Sequence, residues 1–437
     1  MRGEAWERAS ECLIRAGDNA ARLLAGAEAR VHCAHALDAL AHLPPTENNR
    51  RIKVDTLINQ LRASWASDSP EKNLARMSEA ERLVQELPGP DGTPGSDRLR
   101  LARVRYWTGN IHFLSNAMPE AIRYFSEVLE VAKNLGDPEL LVSAYYSTGN
   151  ALYCQGHFGK AEPLFRQAIT RFEQLGDWAR WIRAVSLHGG TLATIGRYAE
   201  GLAECQRGLA RAHELNALDG IAFSTLCLSW IYAVAGNLAS NRETSRRATE
   251  TFEHSGGRAF VYLLYLFRSY SEVCAGQFEA AAESIAKSQT IVQELGGQLF
   301  AADIFGSFSA EVALGKGQVE QALAMAEQAV AIARKIGGIF GEGMAHQVWG
   351  RSLAAMTPPK WDEAEAQMAE SLRLLELGEA RLFSASIRMH WGIICRDRGK
   401  TDAAREHFEK AAAQWTASNI PWELERVNKL IEELPKA

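Results

Sequence analysis

Between residues 138 and 177 the apolar positions fall on two helical stripes with a short break between them. The spacing predicts one helix from Leu140 to Gln155 and a second from Phe158 to Leu175, joined at Gly156-His157. Leu175-Gly176-Asp177 ends the pair, because glycine takes the left-handed conformation that closes a helix without steric cost. The same stop recurs at Leu135-Gly136-Asp137, Leu295-Gly296-Gly297, Ile336-Gly337-Gly338 and Leu377-Gly378. The internal turn recurs at Gly196, Gly236, Gly276, Gly317 and Gly399. Each unit thus reads helix, glycine turn, helix, glycine stop. A single amphipathic helix of this length is marginal in water, so each pair must bury its stripe against its neighbours.

Two columns of small residues mark where helices cross. Gly109, Gly149, Gly189, Ser229 and Ser269 lie 40 residues apart, and Ala310, Gly350 and Gly392 continue the series with small slips. Ala121, Ala161, Gly201, Asn241, Ala281, Ala322, Ala364 and Ala404 form the second column, twelve to fourteen residues behind. A fixed period predicts a stacked array. Such an array presents an extended surface rather than a closed catalytic cleft. Gly149 leaves room for Phe165, and leucine in its place should overpack the crossing by roughly 1–3 kcal/mol.

The first two copies are degenerate: Gly17, Ala29, Cys33 and Ala36 fit one, Ala63 and Ala75 the next. Residues 1–87 are therefore read as degenerate N-terminal repeats, 88–97 as a flexible Pro/Gly loop and 98–417 as the regular array. Residues 418–437 read as a capping helix and tail. In that cap Ser418 or Asn419 serves as N-cap, Pro421 suits the first turn, and Leu424, Val427, Ile431 and Leu434 share one stripe.

The order small, aromatic, alanine, aromatic, alanine is carried by Gly149, Phe158, Ala161, Phe165 and Ala168. Gly392, Ala404, Phe408 and Ala411 carry it in part. This pattern resembles the tetratricopeptide repeat. The period is longer than that family's 34 residues. It is similar to the sensor domain of the maltose-regulon activator, and more so to the C-terminal repeats of bacterial proteins joining a cyclase-like domain, a signal-transduction ATPase and a repeat array. The reading is all-α: a right-handed α-solenoid of about ten antiparallel helix pairs with a C-terminal capping helix.

In the resembled family the first helix of each pair lines a concave groove. Tyr106-x-Thr108-Gly109-Asn110-x-x-Phe113 is echoed by Tyr146-x-Thr148-Gly149-Asn150-x-x-Tyr153, and the spacing places Tyr, Asn and the second aromatic on one helix face. Arg103 precedes the first set, and Arg183 occupies its equivalent two repeats later. The resemblance implies that the asparagine amides bond an extended peptide backbone. The arginines would add charge-assisted bonds to a carboxylate or phosphate. Packing between helices accounts for the same tyrosines and asparagines equally simply. In the middle of the array the column becomes Trp230 and Tyr270, with Phe223, Leu226, Leu263 and Leu266 alongside. An apolar ligand patch, self-association, or a groove that buries itself would each explain this.

A net charge of −5 and a pI near 6.2 speak against a nucleic-acid partner. The seven cysteines include no CxxC pair and read as free thiols in a reducing cytoplasm. The N-terminus carries no signal-peptide core. Gly220 to Asn241 lacks charge over a length that could span a bilayer, but its serines, glycine and asparagine and its place in the repeat indicate a buried solenoid helix. Gly399-Lys400-Thr401 lacks the earlier glycine of a phosphate loop, Ile394 standing there. His32 and His35 fall short of a zinc set. Asp362-Glu363-Ala364-Glu365 suits a helix N-terminus.

No catalytic residue, metal site or cofactor is predicted. The expectation is a non-enzymatic scaffold of a bacterial signalling system. It would hold a protein or peptide in the groove, with a signalling ATPase or cyclase domain as one such partner and self-association as another. No nucleic acid or membrane is expected. The alternative is a sensor of a sugar or nucleotide in the superhelix interior.

Overall fold

The computed structural model describes residues 2–22, 26–64, 68–88, 97–255, 260–294 and 302–435. Among the described residues the fold is ten helix pairs and one closing helix. The pairs are α1 (Arg2–Arg22) with α2 (Gly26–Ala41), α3 (Glu47–Ser64) with α4 (Pro70–Gln85), α5 (Arg98–Leu114) with α6 (Met118–Ala132), α7 (Pro138–Gln155) with α8 (Phe158–Leu175), and α9 (Trp178–Thr194) with α10 (Tyr198–Glu214). They continue as α11 (Leu218–Val234) with α12 (Leu238–Ser255), α13 (Val261–Cys274) with α14 (Phe278–Glu294), α15 (Ala302–Gly315) with α16 (Val319–Ile336), α17 (Ile339–Ala355) with α18 (Trp361–Leu377), and α19 (Arg381–Asp397) with α20 (Thr401–Ala417). The closing helix is α21 (Pro421–Glu432). No described helix is long and apolar enough to cross a membrane.

Both small-residue columns are buried. Ser229, Ser269, Ala310, Ala121, Ala161, Asn241, Ala281, Ala322, Ala364 and Ala404 are all inaccessible to solvent. Gly109 abuts the Phe125 ring, and Gly149 abuts Leu164 and Phe165. Asn241 keeps its place in the column because its amide donates to the Ser229 carbonyl at 2.8 Å and to Ser229 Oγ at 3.0 Å. A buried amide is tolerated there because its donors are satisfied.

The turns follow the glycines, with asparagine substituting. Gly136, Gly156, Gly176, Gly196, Gly236, Gly276, Gly317, Gly337 and Gly399 have positive φ, as do Asn116, Asn216 and Asn419. Asparagine is among the few non-glycine residues that visit this region readily. The stop at 377–378 departs from the expected form, since Gly378 is right-handed and Glu379 takes the positive φ of 57°. Leu295-Gly296-Gly297, and residues 89–96 of the Pro/Gly loop, lie outside the described residues.

Two N- and C-terminal registers also differ from the sequence reading. In the second degenerate repeat Ala75 is exposed, whereas Asn73 and Ala80 are the buried pair seven residues apart. At the C-terminus Ser418 is the C-cap of α20 and Asn419 turns left-handed. Buried Ile420 is the residue before α21, with Pro421 in its first turn. Val427 and Leu434 are buried, and Leu424 and Ile431 pack partly against the same core as Trp415 and Phe408.

The chain forms two compact units, Met1–Thr148 and Gly149–Ala437, so the division falls inside α7. In the first, Val54, Leu57, Leu61, Met77, Val84, Val104 and Ile111 make the core. In the second, the odd-numbered helices α9, α11, α13, α15, α17 and α19 each touch the next, and α19 touches α9 again. That inner layer therefore closes on itself. The closure is sealed at the turns: Gly159 N–H donates to the Gly378 carbonyl at 3.4 Å, and a side chain at Gly156 would strike Phe340.

Candidate functional site

In the first unit, Asp97 caps α5 by accepting from Arg100 N–H. The α5 face carries Arg103, Tyr106, Asn110 and Phe113. Arg103 donates to Asp137 at 2.8 Å, the same carboxylate that accepts from Leu140 N–H at the start of α7. The Tyr106 hydroxyl lies 3.1 Å from Ser147 Oγ, and its ring lies 5.8 Å from Phe125. Asn110 Nδ2 donates to the Tyr106 carbonyl at 2.8 Å. Its Oδ1 accepts no hydrogen bond from the described residues. Tyr106, Asn110, Phe113 and Tyr146 are all half-buried.

In the second unit, Asn150 Oδ1 accepts from Cys154 Sγ at 3.8 Å. The Tyr153 ring meets Phe158 and Phe165 edge-on, with centroids at 5.4 and 6.4 Å. Burial holds its hydroxyl well above the ordinary tyrosine range. The Arg183 guanidinium lies 4.7 Å over the Phe223 ring, a cation–π contact rather than a free charge. Trp230 is buried: it stacks on Phe383 at 5.8 Å, touches Phe340 edge-on at 6.0 Å, and donates from Nε1 to Thr194 Oγ1 at 3.2 Å. Tyr270 stacks on Phe308 at 4.7 Å and is likewise buried. Thus α17 and α19 cover the aromatic middle of the column from within the same unit.

The column does not end at Tyr270. One and two repeats later it holds Glu311 on α15 and Arg351 on α17, two residues the sequence reading passed over. Extending the 110, 150, 190, 230, 270 series by the same slip seen at Ala310 would have found them. Arg351 Nη1 pairs with Glu311 Oε1. Beside them Gln347 Nε2 donates to His390 Nδ1 at 2.7 Å. These groups, with Tyr270, Cys274, Glu423 and Arg426, line a cavity of about 140 Å³. Burial, with the Arg351 and Arg426 charges, holds the His390 imidazole well below its ordinary range, so it stays neutral. Burial raises the Glu423 carboxyl against the opposing pull of Arg426, and pushes the Cys274 thiol up to about 12. That thiol is therefore inert at neutral pH.

Among the described residues, one other cluster has metal-ligand types. Glu342, His346 and Glu370 bring one donor atom each within 4.8 Å of one another. Arg334 Nε already donates to Glu342 at 2.7 Å and Arg373 to Glu370 at 2.7 Å. The two guanidiniums supply the positive charge a metal would bring, and the cluster reads as an ion-pair network. At Gly399-Lys400-Thr401 the lysine Nζ is 2.8 Å from Glu365 and offers no phosphate cradle.

Residues 98–174 match the family model of the tetratricopeptide repeat. The fold is that of a tetratricopeptide-repeat protein. A Rap protein complexed with competence and sporulation factor aligns over 89% of this chain and 99% of its own, with a TM-score of 0.58 and 12% identity. The apo form of RapI aligns over 86% and 97%, with a TM-score of 0.53 and 12% identity. Aspartyl phosphate phosphatase F from Bacillus subtilis aligns over 87% and 96%, with a TM-score of 0.51 and 11% identity. No curated protein matches the sequence. In the second unit the first helices of the pairs form the inner layer and carry the Trp230–Arg351 column. In the first unit α5, likewise the first helix of its pair, carries Asn110.

Proposed function

We propose that this tetratricopeptide-repeat chain is a non-enzymatic scaffold that holds a peptide or protein segment along the inner face of its repeats. The observation that carries this is Asn110: its amide nitrogen is anchored to its own helix, while Oδ1 is left to accept from an incoming backbone N–H. Half-buried Tyr106 and Phe113 flank it with rings that keep an apolar body and, in Tyr106, a polar tip. The complex of the similarly folded Rap protein with competence and sporulation factor supports a ligand-binding role for a fold of this kind. The resemblance to ATPase-linked arrays supports a signalling domain as the partner. Affinity capture from the source cell with wild-type and Asn110→Ala chains tests the reading. Loss of a captured protein with an unchanged melting temperature supports it; equal capture by both chains overturns it.

A second reading is favoured by the closed inner layer of the second unit, which encloses a polar cavity rather than an open groove. A cavity of about 150 Å³ holds a molecule the size of benzene. The cavity here is of that order, so this reading calls for a ligand smaller than a hexose or a nucleotide.

A further inference from the structure

Glu311 is 6% exposed, and while its Oε1 is paired with Arg351, its Oε2 has no hydrogen-bond partner among the described residues. A buried carboxylate oxygen without a donor is costly, by more than an unpaired neutral group. Glu311 lines the 140 Å³ cavity, so the missing donor has a place to come from. The cavity also receives Arg351, whose guanidinium has five N–H donors and uses one on Glu311. Across from this pair α21 contributes Glu423 and Arg426, which lie 3.7 Å apart. His390 and Gln347 bond one another. The lining therefore holds two carboxylates and two guanidiniums, and its apolar wall is formed by Val234, Tyr270, Phe278 and Leu382.

These charges select among ligands. A lone anion would face Glu311 and Glu423. A lone cation would face Arg351 and Arg426. A molecule carrying both signs at close spacing meets a partner for each, and the volume limits it to about six to eight heavy atoms. We infer that this cavity binds a small zwitterion, a free α-amino acid with a short side chain, its ammonium donating to Glu311 Oε2 and its carboxylate accepting from Arg351. This rests on the second reading above and names its ligand class. Residues of α11, α13, α15, α17, α19 and α21 line the site together with Phe278 of α14 and Trp415 of α20, so the ligand ties the closing helix to the inner layer and makes its docking ligand-dependent.

Calorimetric titration and thermal shift of the full chain with glycine, L-alanine, L-serine and L-valine test this. Acetate and ethylamine serve as controls that each lack one charge. At least one amino acid should bind and raise the melting temperature, and the controls should not. Glu311→Gln should weaken that binding by about tenfold or more, the loss expected for a hydrogen bond to a charged group. Ser386→Leu, which fills the cavity from α19, should abolish it. Hydrogen exchange in α21 should slow when the amino acid is bound. Failure of all four amino acids to bind, binding of the controls as tight as theirs, or survival of binding in Ser386→Leu would overturn the inference. Should Glu311→Gln not fold, Ser386→Leu alone decides. Asn110→Ala should leave amino-acid binding unchanged, so a failure here is separate from failure of the peptide reading.

Discussion

Asn110 on α5 and Trp230 on α11 occupy the same place in their repeats, one residue after the small residue of the helix crossing. Asn110 is half-buried and keeps a free acceptor. Trp230 is 3% exposed and sits among Phe267, Phe340 and Phe383. The repeat position is the same, yet one side chain is half-buried and the other is core. The difference lies in what covers each position. In the second unit the inner layer returns to its start, and α17 and α19 fill the groove that α9 and α11 would otherwise expose. An aromatic residue in a concave column is thus not by itself a ligand contact; it is one only where no later repeat reaches it.

The largest effects are expected at the covered end. Trp230→Ala should destabilise the chain by about 3–5 kcal/mol, read by chemical denaturation, as expected for removal of a buried aromatic. If it costs less than a surface change, the inner layer is open in solution. Gly156→Ala tests the seal: its left-handed backbone should cost about 1–2 kcal/mol, and collision with Phe340 a further 1–3 kcal/mol. Gly276→Ala has the same backbone sign with nothing within 4 Å of the added carbon, so only the first cost should appear. Equal effects at the two glycines would argue that the turn at 156 does not dock.

Protonation sharpens the contrast further. Asp303 on α15 is buried, and burial raises its carboxyl to about 6 against the backbone N–H groups it accepts from, including Gly341. The folded chain then holds this proton more tightly than the unfolded one, whose carboxyl titrates near 3.9. Stability should therefore fall as pH rises from about 4 to about 6, by on the order of 2 kcal/mol, and Asp303→Asn should remove that fall. Asp137 behaves oppositely: burial opposes ionisation, but Leu140 N–H and the Arg103 guanidinium outweigh it and hold the carboxyl below its ordinary range. Its contribution is present above the ordinary carboxylate range and lost as the solution is acidified, so Asp137→Asn should flatten the acid limb. Denaturation midpoints across pH check both signs. The smallest effect belongs to Asn110→Ala, which should change stability by less than about 1 kcal/mol while removing the partner.

The repeat was legible because it is local physics. Ala121, Ala161 and Ala404 are small where two helices cross, and Gly136, Gly176 and Gly337 are glycine where a helix stops. Each requirement acts within one helix pair and so is written in the residues of that pair. The degenerate copy was misread by two positions because Asn73, a polar residue, occupies the buried site that alanine holds elsewhere. The capping helix was read correctly in its stripe and less so in its start, since Ser418 and Asn419 have cap chemistry for either helix end and here close α20. Of the candidate site, Asn110 and Tyr106 lie on one face as their spacing required. Arg103 and Arg183 were legible as charges but not as the partners of Asp137 and Phe223, which lie 34 and 40 residues away.

The periodic unit is local: most helix boundaries and most crossing residues follow from the residues of one pair. What the tertiary structure decided is whether the inner side of the repeats meets solvent. Small rotations between successive pairs add up along the array, and no single repeat encodes their sum. Only that sum brings α19 back to α9, buries Trp230 and Tyr270, and encloses Glu311 and Arg351 with Glu423 and Arg426 around one cavity.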